Sequence, residues 1–172
     1  MPNIISSALL TVFPLCLAFA AISDFLTLTI PNRISIILIL GFVLLAPLTG
    51  MAWPLFGLHL AAGVCVLIVC FACFALNIMG GGDAKLLAAS AVWFGFGEPL
   101  IQFLAYTAAM GGVLAIVILV ARSQQSLLAA AGVRLPQSFL TTRKIPYGIA
   151  IAAGGFLAFP STPLFDNAMS LM

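Results

Sequence analysis

Charge is what this sequence has least of. Its 172 residues include six Lys and Arg and four Asp and Glu, 6% of the chain, where a soluble domain carries about 25%. Hydrophobic residues make up 64%, and the mean hydropathy is +1.29. So few charges cannot clothe a water-facing surface, which excludes a soluble globular domain; the apolar excess needs hydrocarbon as its solvent. Disorder and a charge-laced coiled coil are excluded on the same ground. A net charge of +2 offers no basic patch able to grip phosphate backbones, so nucleic acid is not an expected partner. With a single histidine, His59, the chain shows no Ser-His or Cys-His constellation for covalent catalysis. Cysteine is also sparse: Cys16, Cys65, Cys70 and Cys73 all sit in apolar runs, where a thiol behaves as a small hydrophobe. Cys70 and Cys73 spell C-x-x-C, but a second ligand pair and a polar setting are missing, so neither a metal nor a cofactor is expected.

What is present is apolar and punctuated. Runs bounded by polar residues, Gly or Pro cover residues 4–22, 34–50, 56–78, 84–97, 100–121 and 145–160. They predict an all-α, polytopic membrane protein of six transmembrane helices forming a single domain over 1–172. The fourth run is short and the sixth marginal. No Lys or Arg precedes the first run, and it is long for the apolar region of a signal peptide, so it reads as a retained span.

The charges support this division. Arg33 follows the first run, Lys85 the third, and Arg122, Arg134, Arg143 and Lys144 the fifth, so all six cations fall on one side. Random placement would give that about once in thirty tries, and the positive-inside rule makes that side cytoplasmic. Both termini are then expected outside. In the long loop 122–144, Leu127, Leu128, Ala131 and Leu135 could form the apolar face of a helix lying in the membrane interface. His59 falls near the outer end of the third span and reads as an interfacial residue.

Ionisable groups at membrane depth are costly, at about 2.5 to 3.5 kcal/mol for Asp at a helix centre. Asp24 closes the first span and Asp83 opens the fourth, which puts two carboxylates at one leaflet. Asp83 ends the run Gly80-Gly81-Gly82, whose glycines allow positive φ and close approach of another chain, as a site receiving an extended peptide requires. The bland alternative is a flexible turn with Asp83 as helix N-cap. After Asp24, Pro31 and Asn32 break the helical pattern and begin a structured re-entry. Each Asp alone is ordinary for a helix end; the pair is not.

Asp24 with Ile30-Pro31-Asn32, the Gly80-Gly81-Gly82-Asp83-Ala84-Lys85 block, and Lys144-Ile145-Pro146-Tyr147-Gly148 together resemble the type IV prepilin leader peptidases, polytopic aspartic proteases with a G-x-G-D motif. The resemblance runs from about residue 20 to the end of the sixth span, with the three blocks in family order. It implies that Asp24 and Asp83 are the catalytic pair, with Pro31, Asn32, Gly80, Gly81, Gly82, Lys85, Lys144, Pro146, Tyr147 and Gly148 as supporting motif residues. It implies a prepilin substrate, cut where a basic cytoplasmic leader joins an apolar helix in a bacterial inner membrane. The long members of the family carry a zinc-binding insertion with two C-x-x-C pairs, associated with N-methylation of the mature pilin. Nothing here corresponds to it, so the chain resembles the compact branch serving Flp-type, tight-adherence pili, and methyltransferase activity is not expected.

Two close carboxylates cannot both ionise cheaply, so the pair is expected to share a proton, one activating water while the other protonates the peptide. Asp83 at a helix start favours the charge and Asp24 at a helix end opposes it, which assigns the proton to Asp24. Arg143 and Lys144 are expected to reach lipid headgroups, with membrane lipids as a second partner. A small polytopic transporter and a structural subunit of a pilus assembly are the rival functions. The sequence does not reveal the oligomeric state.

Overall fold

A computed structural model describes residues 2–124 and 145–170. Seven α-helices follow one another there: α1 (Pro2–Thr27), α2 (Asn32–Leu45), α3 (Trp53–Ala75), α4 (Gly81–Phe94), α5 (Glu98–Ser123), α6 (Tyr147–Ala158) and α7 (Pro163–Ser170). Short 3-10 turns occupy Pro47–Thr49 and Phe159–Ser161, and no strand occurs among the described residues. The first six helices stand over the six apolar runs, with ends shifted by a few residues. Proline and glycine set those ends. Pro54 and Pro99 lie in the first turns of α3 and α5, where a missing N–H costs nothing, and Gly95 ends α4 at φ +65°.

The chain is a multi-pass membrane protein. α1, α2 with its following turn, α3 and α5 are each long and apolar enough to cross a bilayer, and α6 with α7, bent by 57° between them, makes a fifth if taken as one span. α4 is different. Its 14 residues reach about 21 Å at 1.5 Å per residue, against a hydrocarbon core of about 30 Å. It is also the most enclosed helix, with Ala84 and every residue from Leu86 to Phe94 buried. A helix apolar on all sides belongs in the interior, and α3, α2, α6 and α5 surround it.

Register follows from pairs of touching residues. Phe74 lies against Gly81 and His59 against Val92, so α3 and α4 run antiparallel. Asp24 meets Gly148, and Leu17 meets Gly155, so α1 and α6 do the same; Thr107 against Gly154 aligns α5 with α6. The C-terminal ends of α1 and α3 and the N-terminal ends of α2, α4 and α6 therefore share one end of the bundle. Arg33, Lys85 and Arg122 occupy that end, and Glu98 and Asp166 the other. The middle is filled by aromatic rings: Phe13 lies 5.2 Å from Trp93 and 4.6 Å from Phe159, and Trp93 Nε1 donates to the Leu38 carbonyl at 3.0 Å. The expected interfacial helix through Leu127, Leu128, Ala131 and Leu135, together with Arg134, Arg143 and Lys144, lies outside the described residues.

Candidate active site

Three connections, after α1, after α3 and before α6, converge on one space at this end of the bundle. The first leaves α1 through Leu28, at φ 53°, whose N–H donates to the Asp24 carbonyl at 2.9 Å. That is the single-bond, left-handed way of ending a helix, and for a leucine it costs about 1–2 kcal/mol. Hydroxyls fasten the turn: Ser23 Oγ donates to the Thr29 carbonyl at 2.9 Å, and Thr27 Oγ1 donates to the Ser23 carbonyl at 2.8 Å and meets Thr29 Oγ1 at 2.7 Å. Pro31 then starts α2.

The second connection leaves α3 through Asn77, at φ 59°. Ile78 N–H donates to the Cys73 carbonyl and Asn77 N–H to the Phe74 carbonyl, both at 2.9 Å, the two-bond Schellman closure. Gly80 caps α4, which makes Asp83 its third residue. The third connection is Ile145-Pro146, leading into α6 with Pro146 as N-cap.

Between these connections lies a cavity of about 810 Å³. Asp24 and Asp83 both line it, with Leu28, Thr29, Ile30 and Asn32 from the first connection, Asn77 through Gly82 and Cys73 from the second, and Ile145 and Tyr147 from the third. Asp24 is 4% exposed, and its Oδ2 accepts the Gly148 N–H at 2.6 Å. A Cβ on Gly148 would sit 2.9 Å from that oxygen and 3.0 Å from both Asp24 Cβ and Ile30 Cδ1, so only glycine lets α6 present its first amides to Asp24. Asp83 is half-buried, and the Tyr147 ring, another wall of the cavity, reaches with its hydroxyl toward Gly111 of α5. Lys85 donates to Asn32 Oδ1 at 3.1 Å, joining the starts of α2 and α4.

Some expectations change here. Gly80, Gly81 and Gly82 do not take positive φ, which among the described glycines belongs to Gly50, Gly95 and Gly97. Their use is close approach: a Cβ on Gly82 would lie 3.3 Å from Ile30, and one on Gly80 would lie 2.7 Å from the Asp83 carboxylate. Asp83 is not the N-cap but stands three residues beyond it, still in the first turn where a helix favours negative charge. Asp24 stands at the end of its own helix and accepts an amide from the start of α6, so two helix dipoles of opposite sense meet at its carboxylate. His59 is not interfacial: it is 4% exposed, its Nδ1 donates to the Val92 carbonyl at 2.8 Å, and its ring stacks 5.2 Å from Phe42. Cys16 and Cys70 are buried, whereas Cys65 is exposed and Cys73 lines the cavity.

Pro31, Asn32, Gly80, Gly81, Gly82, Lys85, Pro146, Tyr147 and Gly148 all lie in or beside these connections, while Lys144 is outside the described residues. Thr29, Asn77 and Cys73 were missed. Asn77 carried a signal, since Asn after an apolar run is a common left-handed helix stop. Among the described residues, no three His, Cys, Asp or Glu side chains gather to hold a metal ion. The arrangement is suited to acid and base work: two carboxylates face one cavity, one of them held by a helix amide.

A family model described as the type IV leader peptidase family matches residues 11–116, a stretch that takes in Asp24 and Asp83 and stops short of Pro146 and Gly148. Among curated proteins and solved structures, none matches the chain.

Proposed function

This chain belongs to the type IV leader peptidase family, and from that premise we propose that it removes the leader of Flp-type prepilins by aspartic catalysis. The observation that carries the proposal is the cavity lined by both Asp24 and Asp83. Water held between the carboxylates gives a proton to the ionised one and adds to the scissile carbonyl carbon, while the protonated partner gives its proton to the carbonyl oxygen. Collapse of the tetrahedral intermediate breaks the C–N bond, and the departing amine takes a proton from the pair. The two groups titrate as one system, so the charge belongs to the dyad.

The Gly148 amide holds Asp24 Oδ2 in place at the wall of the cavity. Tyr147 lines the cavity together with Asp83. Non-helical backbone at Thr29-Ile30 and extended backbone at Gly80 border the space a peptide would enter. The site works at the cytoplasmic face of a bacterial inner membrane, both termini lie outside, and the bundle crosses six times, with α4 as a short buried span. N-methylation of the product is not part of its activity.

Purified protein and a Flp-type prepilin in detergent or vesicles test this directly. Asp24→Asn and Asp83→Asn each lower leader cleavage by about 10²- to 10⁴-fold, the range for removing a positioned acid or base, with the melting transition retained. Cleavage at the normal rate by either folded variant overturns the proposal, as a transporter or a structural subunit would require.

A further inference from the structure

A second groove, of about 350 Å³, lies on the other side of the α1–α2 turn. Cys16, Phe19 and Ser23 of α1 line it with Pro31, Ile37 and Arg33, the one charged group among its lining residues. Neighbouring residues divide between the two spaces: Ser23 and Pro31 face this groove, Asp24 and Asn32 the cavity. Apart from Arg33 and from Ser23, whose hydroxyl is turned to the Thr29 carbonyl, the walls are apolar, and Phe19 and Ile37 are 64% and 51% exposed, so the groove opens sideways toward hydrocarbon.

Size decides what fits. One turn of a helix with its side chains, about 10 Å across and 5.4 Å long, fills roughly 400 Å³. An open groove of about 350 Å³ cannot enclose even one such turn, whereas an extended acyl chain can lie along it. Charge decides which lipid. Arg33 is exposed and shares its end of the bundle with Lys85 and Arg122, whereas Glu98 and Asp166 lie at the other end. A long side chain that runs along apolar surface and ends in a planar fork of donors suits a phosphate oxygen pair at headgroup depth.

The geometry points to a binding site for one anionic phospholipid, an acyl chain lying in the groove against Phe19 and Ile37 and the phosphate on Arg33. The site does not depend on the peptidase chemistry, and its test reads lipid directly.

Full-length protein in vesicles of phosphatidylcholine with phosphatidylglycerol is extracted, and the lipids it retains are counted by native mass spectrometry. The wild type keeps one phosphatidylglycerol in preference to phosphatidylcholine. Arg33→Gln weakens that retention by about fivefold, the contribution of one basic residue at a membrane surface, and Arg33→Lys keeps most of it. Ile37→Trp, at a position already facing hydrocarbon, fills the groove and lowers retention of any lipid there. Added phosphatidylglycerol raises the melting temperature of the wild type more than that of Arg33→Gln, because a ligand of the folded state stabilises it by mass action in proportion to its affinity. Equal retention of the two lipids by the wild type, or undiminished phosphatidylglycerol on folded Arg33→Gln, overturns the assignment.

Discussion

The two halves of this bundle treat the same scarcity of polar groups in opposite ways. In the half away from the cavity, ring N–H groups are spent on the fold. His59 Nδ1 and Trp93 Nε1 each meet a backbone carbonyl, Val92 at 2.8 Å and Leu38 at 3.0 Å, and Phe13, Phe42 and Phe159 close over them. At the cavity end, carboxylates, amide side chains and a phenol line open space, and Leu28 and Asn77 end their helices in the left-handed conformation, which strains a leucine. The difference separates support from chemistry: a buried polar group with an internal partner stabilises, while one facing a cavity is available to a ligand.

The largest effect expected on the supporting half comes from Trp93→Ala. Trp93 is fully buried and contacts three aromatic rings, so truncation costs about 3–5 kcal/mol of stability, measured as a lower midpoint in a denaturation series. Cleavage per folded molecule stays near the wild-type rate. A variant as stable as the wild type, or one folded but inactive, breaks the division between the halves.

Gly148→Ala tests the other half. The new Cβ displaces the carboxylate that the Gly148 amide holds, and a shift of about 1 Å in a reacting group costs on the order of a hundredfold in rate. Initial rates of leader cleavage fall accordingly, while the melting midpoint moves far less than in Trp93→Ala. A rate within twofold of the wild type shows that Asp24 is not held by this amide during turnover.

The sequence exposed the membrane architecture because a bilayer demands long apolar runs, and that demand is local. It exposed Asp24 and Asp83 because charges are scarce enough to be examined one by one. What it hid depends on contacts between distant segments. Nothing near Asp24 announces that the amide of a residue 124 positions later will meet its side chain. Leu28 has no residue type that favours positive φ, so its strain is visible only where Ser23, Thr27 and Thr29 fasten the turn. His59 looks interfacial by depth, yet the α3–α4 pairing encloses it. The glycines before Asp83 suggest turn flexibility, and the structure uses them for contact with Ile30 and with the carboxylate itself.

The smallest effect belongs to Lys85, and it sharpens the comparison most. Its ammonium donates to Asn32 Oδ1 at 3.1 Å across the start of α2 and α4, and both residues are exposed. A hydrogen bond to a charged group is worth about 1.5–3 kcal/mol when shielded, and screening by solvent takes exposed pairs to about 1 kcal/mol or less. If Lys85 only ties two walls of the cavity together, Lys85→Met lowers cleavage by about two- to fivefold through KM, since the mouth loosens while the dyad is intact. If the ammonium instead acts on the carboxylate two residues before it, removing it changes kcat and shifts the pH profile of cleavage. Steady-state kinetics across pH distinguish the two: an unchanged kcat profile keeps Lys85 with the supporting groups, and an altered one moves it into the chemistry at the cavity.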